Sequence, residues 1–273
     1  MFPSQKIAIL GFGTEGKAIA QYFAYKGTNL TICDQNPHLG IPEGLHSRLG
    51  PAAFKNLKGF DVIFKSPGIP QARIGEIQTN SVTQYFFDHC PCPIIGVTGT
   101  KGKGTTSTLI YELLKAAGYD AYLGGNIGIS PLEFLDKLKP TSWVVLELSS
   151  FQTQHLTKSP YVGVILNTTS DHLDYHADKK EYHAAKAQLF RNQHSEDIAV
   201  YNADYSTCAK IVQSSRAQKV AVSTKKNVKE GAQLKGKKIL LNLGGKTVEL
   251  MPINEVGLLG AHNLENVLPS VLV

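Results

Sequence analysis

The sequence predicts an α/β protein made of two successive units, each built on a mostly parallel sheet. Three observations carry this. Short apolar runs alternate with amphipathic stretches along the chain. Two of those runs open into Gly-rich turns followed by helical patterns: "KIAILGFGTEGKAIAQYFAYKG" at 6–27 and "PIIGVTGTKGKGTTSTLIYELLKAAG" at 93–118. Between them "DHCPCP" (88–93) interrupts both periodicities with two prolines, which places a boundary between residues 1–90 and 91–273.

In the first unit a short strand enters the Gly-rich turn, and an amphipathic helix follows and stops at Gly27. "NLTICD" and "GFDVIFKSPGIP" supply two further strands. In the second unit a strand precedes the loop, and a helix over 105–117 ends at Gly118. "WVVLELSS", "YVGVILNTTSDH" and "IAVYNAD" are then apolar runs that turn polar at their C-terminal ends. Ligands in open α/β sheets bind just beyond those ends, so the polar tails are expected to converge on one site. "KKILLNLGGKTVELM" reads as a hairpin with a Gly-Gly turn. "NLENVLPSVLV" begins as a helix and is expected to run to Val273 without a cap, as a chain cut inside an element would.

Of the 273 residues, 42% are hydrophobic and 18% charged, which indicates a packed core rather than disorder. The net charge of +6 suits anionic small molecules as well as nucleic acid. The dense basic run, Lys225 to Lys238, contains no aromatic residue on which a base could stack, so it reads as a solvated loop or hairpin, not a nucleic-acid site. No apolar run reaches membrane-spanning length and no cleavage signal opens the chain, so the expectation is a cytoplasmic protein without a membrane partner. Cys33, Cys90, Cys92 and Cys208 lack the spacing of common zinc sites and are expected to be reduced.

Gly11-Phe12-Gly13-Thr14-Glu15-Gly16 matches G-x-G-x-x-G between a strand and a helix, with Asp34 ending the next strand 23 residues after Gly11. Glycines there let backbone amides approach a diphosphate, and the acid can accept from a ribose or a base. On these residues alone the turn is either a nicotinamide dinucleotide site or a ligand-free strand–helix connection, and no hydride-transfer residues accompany it.

"GVTGTKGKGTT" (96–106) departs from G-x-x-x-x-G-K-[ST], because Gly104 follows Lys103. The physical requirement is weaker than the pattern: inward amides at a helix N-terminus and one ammonium for the β- or γ-oxygens. Gly99, Gly102 and Gly104 permit the first, and Lys103 supplies the second. Thr105 and Thr106 are close enough to replace the absent hydroxyl on Mg²⁺. Glu147 closes the strand "WVVLE", where a carboxylate after four apolar residues could hold that metal. Asp171 and His172 follow the next strand tip. On a helical wheel of "EYHAAKAQLF", Lys186 falls inside the stripe of Tyr182, Ala185, Leu189 and Phe190; it either snorkels to water or is recruited by a site.

Together these motifs resemble the Mur ligases, ATP-dependent amide-bond formers of peptidoglycan synthesis. "GVTGTKGKGTT", "GGNIG" (124–128), "ELSSFQ" (147–152), "LNTTSDHLDYH" (166–176), "AAKAQLF" (184–190) and "GAHNLENVL" (260–268) occur in family order. The resemblance implies a Rossmann-like first domain that holds a UDP-sugar rather than a dinucleotide, followed by a P-loop central domain. "SPGIP" (66–70) and "ELSSFQ" look most like the members that join D-glutamate to UDP-N-acetylmuramoyl-L-alanine. In that correspondence Thr14, Glu15 and Asp34 face the uridine, and Ser66, Gly68 and Asn126 face the diphosphate and muramoyl parts. Gly99, Thr100, Lys101, Gly102, Lys103, Gly104 and Thr105 cradle ATP, with Asn263 and Asn266 on the adenine. Glu147 and Thr105 take one Mg²⁺; His172 and a carbamylated Lys186 take a second beside the reacting carboxylate. A cytoplasmic monomer is implied. Family members continue into a third domain that binds the amino acid, so the chain is expected to be a ligase fragment, not competent by itself.

Overall fold

The computed structural model describes residues 4–168, 178–258 and 260–273. They divide into two compact units, Met1–His89 with Ser130–Lys137, and Cys90–Ile129 with Leu138–Val273.

The first unit begins with β1 (Lys6–Leu10), α1 (Thr14–Ala24), β2 (Asn29–Asp34), β3 (His46–Leu49) and β4 (Val62–Lys65), and its last helix is α2 (Val82–His89). The strands form an all-parallel sheet in the order β3-β2-β1-β4. Central β1 is apolar on both faces, and Ile7, Ala8, Ile9 and Leu10 are fully buried, as a strand covered on both sides requires. Phe23 of α1, Phe64 of β4 and Tyr85 of α2 meet ring to ring at 5.4–5.6 Å on one face. Ala53, Phe54, Leu57 and Ile74, from irregular chain and short turns, cover the other. Residues 130–137 group here: Phe134 packs edge-on against Phe86 at 5.8 Å, and Lys26 Nζ pairs with Asp136 at 2.6 Å.

The second unit contains β5 (Ile94–Thr98), α3 (Lys103–Ala116), β6 (Ala121–Gly125), β7 (Trp143–Glu147), α4 (Ser150–Thr153), β8 (Val162–Ile165) and α5 (Lys179–Arg191). It continues with β9 (Ile198–Asn202), α6 (Ser206–Val212), β10 (Gln218–Ser223), β11 (Gly231–Lys235), β12 (Lys238–Leu243), β13 (Lys246–Pro252) and α7 (Leu264–Ser270). Nine strands pair in the order β13-β12-β11-β10-β9-β8-β5-β7-β6. All are parallel except the β11–β12 and β12–β13 pairs. Gly244 and Gly245 (φ 57° and 75°) make the expected two-residue turn, both in the left-handed region that such a hairpin demands.

Two expectations need adjusting. α3 starts at Lys103, two residues earlier than expected, because Gly102 takes the N-cap at φ 85°. The last helix does not run to Val273: it ends at Ser270 with Val271 as its C-cap, and Leu272 N–H turns back to Pro269 O at 3.3 Å. Pro269 has no amide to bond Glu265 O, so the helix lacks one bond in its last turn and ends one residue later. No helix among the described residues is long and apolar enough to cross a membrane.

Candidate active site

The C-terminal tips of β5, β7 and β8 are neighbours because these strands pair in parallel, with Val97 opposite both Glu147 and Val164. β5 hands the chain to the Gly99–Gly102 loop and then to α3. Gly99 (φ 154°) and Gly102 (φ 85°) hold backbone angles that a side chain disfavours. A Cβ at Gly102 would also land on Asn266 Oδ1, far inside contact distance. The first intrahelical bond, Thr106 N–H to Gly102 O at 2.9 Å, leaves the amides of Lys103, Gly104 and Thr105 in the open first turn. Such a turn attracts anions. The Lys103 ammonium lies over the loop, donating to Thr100 O at 3.2 Å.

Asn167, just past the tip of β8, braces this loop. Its backbone carbonyl accepts from Thr100 N–H at 2.8 Å, its Oδ1 from Lys101 N–H at 2.9 Å, and its Nδ2 donates to Lys101 O at 3.1 Å. The sequence reading passed over Asn167; its only signal was a place in a polar strand tail.

Lys186 resolves the alternatives left by the helical wheel. It is 1% exposed and does not snorkel. Its Nζ donates to Gly99 O at 3.0 Å and Thr98 Oγ1 at 3.3 Å, and lies 4.6 Å from the Tyr182 ring centroid. The Tyr182 hydroxyl in turn meets Thr100 Oγ1 at 3.1 Å. One face of α5 thus reaches the loop through two polar ends, where the apolar stripe suggested only core. Burial, then the charges of Lys186 and Lys179, hold His183 below the usual histidine range.

Glu147 is 7% exposed at the tip of β7. Asn126 Nδ2 donates to its Oε1 at 3.3 Å, and Asn126 N–H to its carbonyl at 2.9 Å. The contact with Asn126 needs the close passage at Gly125 (φ 99°), where a Cβ would strike the Glu147 carbonyl. A side chain at Gly104 would begin 3.5 Å from Glu147 Oε2, so glycine leaves the space before that oxygen open. No ion pair to Glu147 forms among the described residues. A buried carboxylate that meets no cation among the described residues and lies beside an open helix N-terminus fits a divalent metal on a bound phosphate. Thr105 is exposed on the next position of the turn. Asn266 is buried: Thr106 Oγ1 approaches its carbonyl at 3.4 Å, and its Nδ2 donates to Asn263 Oδ1 at 2.9 Å. Asp171 and His172 lie outside the described residues.

In the first unit, Gly11 (φ 83°) turns the chain from β1 toward α1, and Gly16 packs so tightly on the turn that a Cβ would strike the Gly11 carbonyl. Asp34 braces this loop: its Oδ2 accepts from Phe12 N–H and its Oδ1 from Asn36 N–H, each at 2.9 Å. Ser66 Oγ donates to Gly11 O at 3.2 Å. Thr14 and Gly68 are exposed, the first opening α1 and the second in the turn after β4. Lys65, which sequence reading did not single out, is 8% exposed and donates to Ile69 O at 2.8 Å. Burial holds its pKa below the usual lysine range, and the Glu15 charge opposes that shift. Beside the loop, a cleft of about 480 Å³ is lined by Phe12, Lys17, Ala20, Ile41, Pro42 and Leu45, among others.

Comparison with known proteins agrees with this geometry. Residues 97–273 match the Mur ligase middle domain. The chain is 36% identical to the UDP-N-acetylmuramoylalanine–D-glutamate ligase of Acetivibrio thermocellus, over 98% of this chain and 60% of that protein. It is also 36% identical to the enzyme of the same name from Geobacillus kaustophilus, over 99% and 62%. The chain therefore spans about 60% of the length of the curated relatives it matches. Among solved structures, it resembles in fold the UDP-N-acetylmuramate:L-alanyl-gamma-D-glutamyl-meso-diaminopimelate ligase from Neisseria meningitides, with TM-score 0.63 at 19% identity, covering 98% of this chain and 92% of that one. UDP-N-acetylmuramate-alanine ligase MurC from Thermotoga maritima gives TM-score 0.55 at 21% identity, covering 98% and 64%. Two Gly-loop units in series, a lysine at the second loop and an acid at the neighbouring strand tip fit that match, and the chain belongs to the Mur ligase family.

Proposed function

We propose that the chain is the UDP-sugar-binding and ATP-binding part of a ligase that adds D-glutamate to UDP-N-acetylmuramoyl-L-alanine. The observation that carries this reading is the second-unit loop: Lys103 at an open helix N-terminus, Glu147 at the adjacent strand tip and Lys186 buried against the same backbone. The names of the relatives support the choice of amino acid and acceptor.

In this reading residues 1–90 take the UDP-sugar and 91–273 take ATP. The Asp34 oxygens, already accepting from Phe12 and Asn36, keep lone pairs for a uracil N–H, with Thr14 and Glu15 nearby. Ser66, Gly68 and Asn126 serve the diphosphate and muramoyl groups. Lys103 and the amides of the first turn of α3 bind the ATP phosphates, and Asn263 and Asn266 meet the adenine. The γ-phosphoryl passes to the alanyl carboxylate and ADP leaves. The D-glutamate amine then attacks the acyl carbon, the C–O bond to phosphate breaks, and the nitrogen loses a proton to the leaving phosphate or to water. Lys103 offsets charge as two anions approach, which is the main task in phosphoryl transfer. Glu147 and Thr105 would hold one Mg²⁺, with His172 and Lys186 at a second; bound there, the metals neutralise phosphate charge. Asn126 orients Glu147. At Lys186 a neutral amine would add CO₂ and lose a proton, turning a donor into an acid longer than glutamate.

The test is calorimetric titration of residues 1–273 with Mg·ADP. Lys103→Ala should weaken binding about ten- to a hundredfold, the loss of one charge-assisted contact of about 1.5–3 kcal/mol. Unchanged affinity would remove the loop from the nucleotide site. Residues 1–273 alone should bind nucleotide without forming amide, and efficient D-glutamate ligation by them would overturn the need for a further domain.

A further inference from the structure

The link between α2 and β5 carries two thiols that the site does not use. Cys90 follows α2 and Cys92 lies two residues before β5, with Pro91 between them and Pro93 after. Their sulfurs are 3.6 Å apart, and the Cys90 thiol also reaches the Cys92 carbonyl at 3.4 Å. Both are part-buried, whereas Cys33 and Cys208 are fully buried. The prolines fix two of the backbone angles around the pair, so little freedom is lost in bringing the sulfurs together. No cluster of three or more metal-ligating side chains occurs among the described residues.

We propose that Cys90 and Cys92 form a reversible dithiol–disulfide couple, oxidised by hydrogen peroxide and reduced by a small thiol. The Cys90 thiolate attacks a peroxide oxygen; the O–O bond breaks, leaving a Cys90 sulfenic acid and hydroxide, which is protonated to water. The Cys92 sulfur then displaces hydroxide from Cys90, forming the S–S bond and a second water. The peroxide gains two electrons and the thiol pair loses two. To form the bond the sulfurs close from 3.6 Å to about 2.05 Å. A ring spanning three residues is strained, and strained, accessible disulfides have the more oxidising potentials of labile couples. The Cys92 thiol, hydrogen-bonded to Cys90, holds the Cys90 pKa below the usual thiol range, so Cys90 is the attacking sulfur. Burial pushes Cys33 and Cys208 up to about 11, which makes them internal controls.

The experiment exposes the intact chain to hydrogen peroxide and follows thiol content, intact mass and mapped peptides. The expected result is a loss of two thiols and two hydrogens, a Cys90–Cys92 cross-linked peptide, and full return with dithiothreitol. Cys90→Ser should lose both the rapid phase and the cross-link, while Cys92→Ser should stop at a mass gain of one oxygen. Circular dichroism checks that each variant folds, and the wild-type mass stands as a second measurement if one does not. Accumulation of oxygen adducts on the wild type without loss of hydrogens would overturn the proposal, as would reaction of Cys33 or Cys208 at the rate of Cys90.

Discussion

Replacing Gly102 by alanine tests how far the backbone geometry of the Gly99–Gly102 loop and its cover by Asn266 contribute to stability. A non-glycine residue in the left-handed region costs ~1–2 kcal/mol. At Gly102 the added methyl also lands on Asn266 Oδ1, so that side chain must move and its amide bond to Asn263 is lost. That bond contributes ~0.5–1.5 kcal/mol. Gly118, at the other end of α3, is the natural control: its φ is 84°, nearly that of Gly102, and a Cβ there meets nothing within 4 Å. Gly118→Ala should therefore report strain alone, and Gly102→Ala should cost about 1 kcal/mol more. Urea denaturation followed by the fluorescence of Trp143 is a clean assay, since this single tryptophan lies on β7 in the second unit. With a slope of about 1–3 kcal/mol/M, the two midpoints should differ by roughly 0.3–1 M. Equal midpoints, or a more stable Gly102→Ala, would refute the reasoning that Asn266 closes over the loop.

Two further outcomes follow from the site. Asp34→Asn keeps the shape of the brace around Phe12 but weakens acceptance, so UDP-N-acetylmuramoyl-L-alanine should bind more weakly by calorimetry; tighter binding of NAD, indifferent to this change, would sink the UDP-sugar assignment. Truncating a side chain that is 1% exposed leaves a cavity, so Lys186→Ala should lose ~2–4 kcal/mol in urea melts while Lys186→Met should recover most of it. In a complete ligase carrying this sequence both variants should lose most activity, and added bicarbonate or small carboxylic acids should help only Lys186→Ala; unchanged activity in either would return the lysine to a packing role.

Much of the architecture was legible because periodicity and punctuation agreed. β5, β7, β8 and β9 announce themselves as apolar runs with polar tails, and Gly244-Gly245 reports its own turn. β3 did not, since "HSRL" has no apolar pattern; it is an exposed edge strand held by backbone pairing to β2. The wheel placed Lys186 on the buried face of α5 but could not say where its amine goes, because that depends on carbonyls at Gly99 and hydroxyls at Thr98 far away in sequence. Asn167 was invisible for the same reason: its three bonds to Thr100 and Lys101 exist only once β5 and β8 are paired.

The membership of residues 130–137 in the first unit has a practical result for anyone cutting this molecule apart. The backbone passes from one unit to the other three times, after His89, Ile129 and Lys137, so no single cleavage separates them. A fragment begun at Cys90 would carry Leu132, Phe134 and Leu135, each no more than 6% exposed in the intact chain, with their cover against α1 and α2 removed. A fragment ended at His89 would bare the matching surface around Phe86. Both halves would then be sticky in solution, and the useful dissection is a splice: 130–137 replaced by a short polar linker in one piece and supplied as a tethered peptide to the other.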